Sequence, residues 1–267
     1  CEWDKIYALA QENNIKVIID SADTLGAKLD GVSTGEYADA AITSFYGSHV
    51  INGAGNGGML ITSDEMVMEK SRLLRSWGRS SSLFSDNEAI ENRFNVDLNG
   101  FKYDAKFVFE QIGYQLEPSE ISAAFALVQL KKLDINIKSR INNFNANTNF
   151  FSNPKYKDFF ILPNQNSRSE SGWLAYPMIV SEDAPFTRTD MQIFLEQRNI
   201  QTRVVFTGNI LRQPGFKSIN CIGSADDFKN ADNAMRGGIL LALHHGLTQE
   251  MQDHFFDSSE KFLDAYC

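Results

Sequence analysis

The chain has 267 residues, 43% of them hydrophobic, which is enough apolar material for one large domain or two ordinary ones and excludes general disorder. Its formal net charge of −9 argues against nucleic-acid binding, because phosphate contacts require clustered Lys and Arg. No apolar run is long enough to span a membrane and no signal-peptide pattern is present, so we expect a cytoplasmic protein without membrane or nucleic-acid partners.

The first segment predicts an α/β arrangement. Apolar residues at helical spacing over 3–14 are followed directly by the apolar strand 16–20. Asp20 stands at the carboxyl end of that strand, where ligands bind in open α/β sheets, and is therefore a candidate site residue. The same position also suits a turn or N-cap aspartate before Ser21.

A histidine and several glycines lie in the stretch 39–62. The apolar runs 40–46 and 58–62 predict two buried strands, and the whole stretch contains His49 and five glycines. Glycines can leave backbone amides facing an anion, but neither the phosphate-loop pattern nor the dinucleotide pattern is present. Without other information, a glycine-rich connector with an incidental histidine remains the alternative.

The rest of the chain predicts a second part with mixed structure. We predict helices from Ser63 to about 77 and from Pro118 to about 133, with a long polar surface loop over 80–106 between them. A weaker helical pattern connects to a small α+β domain beyond a polar hinge at 163–171. Its predicted elements are strand 173–181, helix 187–199, strand 201–206 and helices at 228–240 and 247–266.

Four segments together resemble a known family. They are Asp20-Ser-Ala-Asp23, Ser44-Phe-Tyr-Gly-Ser-His49 followed by Gly57-Gly58, Ile112-Gly-Tyr-Gln-Leu116, and residues 202–214. They resemble the DegT/DnrJ/EryC1/StrS sugar aminotransferases, which are fold-type I enzymes that use pyridoxal 5'-phosphate (PLP) on nucleotide-linked keto sugars. The resemblance implies an aspartate aminotransferase-like α/β fold. Residues 1–133 would be the later part of the PLP-binding large domain and residues 134–267 the small domain, with an N-terminal portion preceding both.

The resemblance also implies cofactor roles for four residues. Asp20 matches the aspartate that pairs with the pyridine nitrogen of PLP and makes the ring an electron sink. Asp23 matches a position near the ring substituents, and Ser44 matches the serine that binds the cofactor phosphate. Gln115 falls where the family usually has an asparagine that reaches the phosphate of the neighbouring subunit. A homodimer with shared active sites is therefore implied.

His49 stands where the family's aminotransferases have the lysine that binds PLP covalently. Histidine cannot form that bond, but it can act as a general base. Within the family this replacement resembles the sugar 3-dehydratases, which use pyridoxamine 5'-phosphate (PMP) to make 3,6-dideoxysugars such as those of lipopolysaccharide O-antigens. We therefore expect removal of the 3-hydroxyl from a nucleotide-linked 4-keto-6-deoxyhexose, with an amino donor such as L-glutamate.

The cysteines help to distinguish two kinds of 3-dehydratase. One kind carries an iron–sulfur cluster, with most of its cysteine ligands in the segment that corresponds to 80–106. This chain has no cysteine there, and Cys1, Cys221 and Cys267 are dispersed. It is therefore more similar to the iron-free GDP-4-keto-6-deoxymannose 3-dehydratases, and we expect neither an iron–sulfur cluster nor another metal.

Three residues near the C-terminal strand complete the predicted site. Arg203, Asn209 and Arg212 lie in a segment similar to one near the substrate in these dehydratases, where arginines could meet the sugar's phosphates. A strand-end arginine and a solvated loop are the structural alternative. We expect structural or surface roles for the other histidines, which are His244, His245 and His254.

Two other functions remain open from the sequence. The first is a sugar aminotransferase whose lysine comes from elsewhere, with Lys102 and Lys106 as candidates. The second is a non-catalytic relative that acts as a regulatory or scaffold protein, or an inactive fragment, and takes up no cofactor.

Overall fold

The computed structural model describes residues 1–86 and 88–267. The chain divides into two compact units. The first unit comprises Cys1–Asp23 and Val32–Lys131, and the second comprises Thr24–Gly31 and Lys132–Cys267. Both units mix helices and strands, and each is described below by itself.

The described part of the chain contains both α-helices and short strands. The helices are α1 (Trp3–Glu12), α2 (Glu65–Arg75), α3 (Ile90–Arg93), α4 (Glu120–Leu130), α5 (Leu133–Phe151), α6 (Arg188–Glu196), α7 (Lys229–Gly237) and α8 (Gln249–Leu263). The strands are β1 (Ile18–Asp20), β2 (Lys28–Leu29), β3 (Val32–Ser33), β4 (Ala40–Ser44), β5 (Gly58–Thr62), β6 (Val96–Leu98), β7 (Phe101–Tyr103), β8 (Phe160–Ile161), β9 (Ser169–Glu170), β10 (Ala175–Val180), β11 (Thr202–Val204) and β12 (Gly238–Ala242). No helix among these described residues is long and apolar enough to cross a membrane.

A three-stranded sheet forms the centre of the first unit. Strand β4 lies in the middle, parallel to β1 and antiparallel to β5. Ala10 of α1 packs with Val17, Ile19 and Ala41 in one buried hydrophobic cluster. Full burial of a side chain of the Val or Ile type contributes about 1.5–3 kcal/mol, so this cluster holds helix α1 against the sheet. The site residues at the strand ends therefore stand on a packed support.

Asp39 fastens the segment before β1 to the segment before β4. Its carboxylate accepts hydrogen bonds from the Lys16 ammonium at 2.8 Å and from the Val17 amide at 2.9 Å. These donors lower the pKa of Asp39 below its usual value. The adjacent β1 and β4 strands consequently start in a defined register.

The prediction of a long surface loop over 80–106 was partly wrong, because this segment contains regular secondary structure. Strands β6 and β7 form a hairpin whose turn is Asn99-Gly100, with φ angles of 54° and 94°. Asn-Gly is a strong signal for such a turn, and the sequence carried it. Helix α3 precedes the hairpin, and Arg93 at its end forms an ion pair with Asp104.

Helix α2 begins one residue later than predicted, because Asp64 rather than Ser63 is its N-cap residue.

Helix α5 is far better defined than its weak sequence pattern indicated. It runs for 19 residues, and its buried face is largely polar, with Asn136, Arg140, Asn143 and Asn147 among the buried residues. The Arg140 guanidinium donates to the carbonyls of Trp173 and Leu174, both at 3.0 Å. Burial lowers the pKa of this group. A polar buried stripe hides the helix from any method that looks for apolar periodicity.

The second unit is built on an antiparallel sheet in the order β11-β12-β10-β8. Its central strand β12 was not predicted, because the helical pattern appeared to run to residue 240. The helix ends at Gly237, where a Cβ atom would lie 2.5 Å from the Val180 carbonyl oxygen. Only glycine allows this approach, which brings β12 beside β10. Helices α6 and α8 supply further core side chains, including Met191, Leu195 and Phe262.

Candidate active site

The carboxyl ends of β1 and β4 form one edge of the first unit's sheet. The two strands are parallel neighbours, with Asp20 paired to Ile42. The Ser21 amide donates to the Ile42 carbonyl at 2.8 Å, and the buried Thr43 hydroxyl donates to the Ser21 carbonyl at 3.1 Å. The strand ends are therefore tied together beyond the last strand residue. Edges of this kind are where open α/β sheets bind ligands.

Asp20 and Ser44 present polar groups at this edge. The Asp20 side chain is exposed, and its Oδ1 accepts a hydrogen bond from the Ala22 amide at 3.0 Å. The Ser44 Oγ accepts from the Tyr46 amide at 3.2 Å. Each local bond orients the side chain and uses only acceptor capacity, so Asp20 Oδ2 and the Ser44 hydroxyl hydrogen remain available for a ligand.

His49 is held on both sides of its ring. Its Nδ1 lies 3.4 Å from the Ser44 carbonyl oxygen, and its Nε2 lies 3.4 Å from Asp23 Oδ1. Tyr46 packs edge-on against the imidazole, with the ring centroids 5.9 Å apart. Both neighbours of the ring nitrogens are acceptors, so an imidazole that carries a proton on each nitrogen donates in both directions.

Backbone hydrogen bonds that involve Gly53 and Gly57 connect the two ends of the loop that contains His49 (residues 45–57). The Phe45 amide donates to the Gly57 carbonyl at 2.9 Å, and the Gly53 amide donates to the Phe45 carbonyl at 2.8 Å. A Cβ atom on Gly53 would lie 2.6 Å from the Asn56 carbonyl oxygen. Val50 and Ile51 are buried under the loop. This packing, which residue types alone do not show, places His49 on a closed and anchored turn.

Gln115 lies on an extended segment of the first unit. It forms an isolated antiparallel bridge with Ser76, and its side chain is exposed. The flanking amides of Tyr114 and Leu116 donate to the carbonyls of Leu74 and Arg75. Its backbone is thus fixed while its side chain faces outward, and its reach toward a neighbouring subunit stays a prediction.

The three substrate candidates lie in the second unit and differ in how they are engaged. Arg203 lies on β11, and its Nη1 donates to the adjacent Thr202 carbonyl at 2.7 Å. The buried Asn209 donates through Nδ2 to the Ala225 carbonyl at 2.9 Å and to Asp232 Oδ1 at 2.8 Å. Arg212 Nη2 donates to Asp232 Oδ2 at 2.6 Å and to Asp226 Oδ1 at 2.9 Å. Asn209 and Arg212 therefore already have protein acceptors.

The alternative lysines and the other histidines lie in ordinary surroundings. Lys102 Nζ is 3.7 Å from Asp97 Oδ2, and Lys106 forms an ion pair with Glu88. His254 Nε2 lies 2.9 Å from the Arg198 carbonyl oxygen. Burial lowers the pKa values of His244 and His245, and the positive charge of Arg140 lowers them further. Within the described residues, no group of three or more His, Cys, Asp or Glu side chains could hold a metal ion.

Comparison with known proteins identifies the family. The profile of the DegT/DnrJ/EryC1/StrS aminotransferase family matches residues 1–259. The chain belongs to the DegT/DnrJ/EryC1/StrS family. This confirms the resemblance that the sequence motifs carried.

Relatives in this family include both of the chemistries considered above. The chain is 30% identical over 263 residues to dTDP-4-dehydro-2,6-dideoxy-D-glucose 3-dehydratase of Saccharopolyspora spinosa, covering 97% of this chain and 56% of that protein. It is 26% identical over 258 residues to dTDP-4-amino-4,6-dideoxy-D-glucose transaminase of Shigella dysenteriae, covering 95% of this chain and 61% of that protein. The chain thus spans only part of the length of each relative, and the family comprises 3-dehydratases and aminotransferases alike.

The fold of the family is also recognisable in the structure. The GDP-4-keto-6-deoxy-D-mannose-3-dehydratase of E coli, solved with bound hydrated PLP, superposes with a TM-score of 0.79 at 22% identity. The match covers 97% of this chain and 63% of that one. The predicted aspartate aminotransferase-like α/β fold is therefore confirmed.

Proposed function

We propose that this protein removes the 3-hydroxyl group of a nucleotide-linked 4-keto-6-deoxyhexose, with PLP and PMP as the two cofactor forms and His49 as the base. The observation that carries the proposal is the placement of His49. By the resemblance to the family, His49 corresponds to the cofactor-binding lysine of the aminotransferases, and in the structure its Nε2 faces the Asp23 carboxylate at 3.4 Å. A proton carrier at this position supports elimination, whereas transamination needs an amine.

The chemistry of the strand-end residues fits PLP. Asp20 provides a carboxylate for a protonated pyridine nitrogen, and Ser44 provides a hydroxyl donor for a phosphate. Their two strands are adjacent and parallel, so both groups stand at the same sheet edge. When bound there, PLP supplies an electron sink for the reacting carbon atoms.

The protein's own residues would then divide the work. Asp20 keeps the pyridine nitrogen protonated. His49 Nε2 accepts the proton released during the reaction and returns it to the departing oxygen on C3 of the sugar. The Ser44 carbonyl holds the opposite ring nitrogen, and Asp23 faces the positive charge that the ring gains. Tyr46 restricts the tilt of the imidazole.

Similarity to 3-dehydratases of nucleotide-linked sugars supports the substrate class. An amino donor such as L-glutamate would convert the PLP form to the PMP form. We further propose a cytoplasmic homodimer in which Gln115 acts in the neighbouring subunit's site, and we assign residues 1–133 to the PLP-binding domain and 134–267 to the small domain.

The decisive experiment supplies the protein with PLP, L-glutamate and a GDP-, CDP- or dTDP-linked 4-keto-6-deoxyhexose. Dehydration requires one ammonia and one 2-oxoglutarate for each 3-hydroxyl lost, since the donor provides both electrons for the deoxygenation. Mass spectrometry of the sugar and enzymatic assay of both by-products would measure this ratio.

Two results would contradict the proposal. An amino sugar formed without ammonia release would identify an aminotransferase instead, and substitution of Lys102 or Lys106 would then test which lysine serves it. Absence of PLP uptake would favour the non-catalytic alternative. PLP uptake can be read, before any sugar is added, from the cofactor absorbance that stays with the protein after gel filtration removes free PLP.

A further inference from the structure

An arginine in the first unit lies among aromatic rings, and its side chain has no polar partner among the residues that the structure describes. The carbon at the centre of the Arg79 guanidinium lies 4.5 Å from the ring centroid of Trp77, 5.4 Å from that of Phe107 and 5.5 Å from that of Phe109. Its Nε is buried without a hydrogen-bond partner. No residue of the described chain accepts a hydrogen bond from, or forms an ion pair with, this guanidinium, so the N–H groups of its two Nη atoms are left for another molecule.

The backbone just before Arg79 has unusual φ angles and packs closely against a neighbouring segment. Trp77 has a φ angle of 58°, an uncommon conformation for a bulky residue, and Gly78 follows at 82°. A Cβ atom on Gly78 would lie only 1.8 Å from the Gln111 carbonyl oxygen. The backbone of Arg79 forms an isolated antiparallel β-bridge with that of Phe109. The guanidinium is thus pre-positioned by a backbone that costs energy to hold.

The rings offer contact surface beyond the arginine. Trp77, Phe107 and Phe109 remain 38%, 53% and 56% exposed. A planar base can stack on exposed aromatic faces, and an arginine fork matches the geometry of phosphate oxygens. Together these groups present the two chemistries of a nucleoside diphosphate.

The arginine that sequence reasoning favoured is engaged elsewhere. Arg212 donates to Asp226 and Asp232, which raise its pKa and already neutralise its charge. A diphosphate would have to displace two carboxylates there, whereas at Arg79 it displaces none. Arg79 is therefore the better electrostatic partner for a diphosphate.

We propose that Arg79, together with the rings of Trp77, Phe107 and Phe109, binds the nucleoside diphosphate portion of the sugar substrate. This inference rests on the proposed function for the identity of the substrate. The guanidinium N–H groups donate to phosphate oxygens, and the exposed faces of the rings stack on the base.

The test is calorimetric titration of the protein with GDP, CDP, dTDP and inorganic pyrophosphate, which requires neither cofactor nor turnover. We expect Arg79→Gln to weaken nucleoside diphosphate and pyrophosphate binding by about ten- to a hundred-fold, the range for lost charge-assisted hydrogen bonds. Phe107→Leu should weaken the nucleoside diphosphates and leave pyrophosphate unchanged. Lys70→Gln is the matched control, since it removes one positive charge from the exposed surface of α2 in the same unit.

Arg79→Lys guards against a folding artefact. It keeps a cation among the rings but lacks the two-pronged fork, so it should fold and still bind the diphosphates less tightly. Unchanged binding in Arg79→Gln, an equal loss in Lys70→Gln, or no nucleoside diphosphate binding by the wild-type protein would each overturn the inference. Dehydration of a nucleotide-linked sugar by wild-type protein would leave the proposed function standing in all three cases.

Discussion

Nε2 of His49 faces Oδ1 of Asp23 across 3.4 Å, while Nδ1 of the same ring faces the Ser44 carbonyl oxygen. The Asp23 side chain is 40% exposed, so water screens its interaction with the imidazole. The imidazole is consequently oriented mainly by its loop and by Ser44, and Asp23 adds a modest electrostatic contribution. Substitution of His49 should therefore affect the reaction rate much more than substitution of Asp23.

Substitution of His49 tests the base directly. His49→Asn should retain the fold and lower the dehydration rate by about 10²–10⁴-fold, the usual contribution of a general base. His49→Lys should bind PLP covalently, detectable by mass spectrometry after borohydride reduction, and should lose dehydration. Full activity in His49→Asn would remove His49 from the mechanism.

Asp23→Asn should have a much smaller effect on the rate. An electrostatic contact with a partly exposed carboxylate contributes little, so we expect a reduction of at most about fivefold. The effect should shrink further at high ionic strength because salt screens exposed charges. Rate measurements at low and high salt would check both points. A loss of several hundred-fold would instead place Asp23 in contact with the cofactor.

Gly78→Ala tests the close approach beside Arg79. The left-handed conformation costs an L-residue about 1–2 kcal/mol, and the added Cβ would also overlap the Gln111 carbonyl oxygen. Gly100→Ala is the control, since Gly100 has a φ angle of 94° and no atom within 4 Å of its Cβ position. Urea unfolding should show a larger loss of stability for Gly78→Ala than for Gly100→Ala. Equal losses would mean that the segment around Gln111 moves away freely.

Asp232→Asn tests the carboxylate that engages Arg212. Hydrogen bonds from Arg212 and Asn209 lower the pKa of Asp232 to about 2, whereas an aspartate in an unfolded chain titrates at about 3.9. The stabilisation by this group is therefore complete above about pH 4 and is lost as the pH falls toward 2. The variant should be less stable than wild type at neutral pH, and the difference should diminish across that acid range. Asp226→Asn, which removes the more exposed carboxylate on the same arginine, is the control and should lower the stability at neutral pH by less.

Tyr156→Phe tests the link to the last helical turn of the chain. The buried Tyr156 hydroxyl donates to Asp264 Oδ1 at 2.7 Å, and burial followed by this hydrogen bond raises the pKa of Tyr156 to about 12. A raised pKa gives stability that is complete below the unfolded value of about 10 and is lost between pH 10 and 12. The variant should be less stable at pH 8 and should lose less stability over the alkaline range. Thermal unfolding at pH 8, 10 and 11.5 would show it, and an unchanged alkaline slope would contradict the assignment.

Local sequence patterns predicted most of the first unit's architecture and less of the second. Apolar periodicity located β4, β5 and the helices α1 and α4 to within a few residues. The prediction that β5 is buried was wrong, because its side chains are largely exposed. Periodicity also missed β12, because the helical pattern before it continued across Gly237, and it understated α5, whose inner face carries Arg140 and several asparagines. The failures at β12 and α5 have one cause: a partner elsewhere in the chain determined the conformation, through close backbone approach in one case and buried hydrogen bonds in the other.

By itself, the sequence determined the family, through the resemblance of four segments to it, and the residue types at the ends of β1 and β4, which include Asp20, Ser44 and His49. Only the tertiary structure decided how those groups are engaged. It brought Asp23 to His49, gave Arg212 two carboxylate partners and placed Arg79 among aromatic rings, with no carboxylate partner in the described part of the chain. The physical reason is that hydrogen bonding and charge compensation depend on distances between residues far apart in the chain, which residue order does not specify.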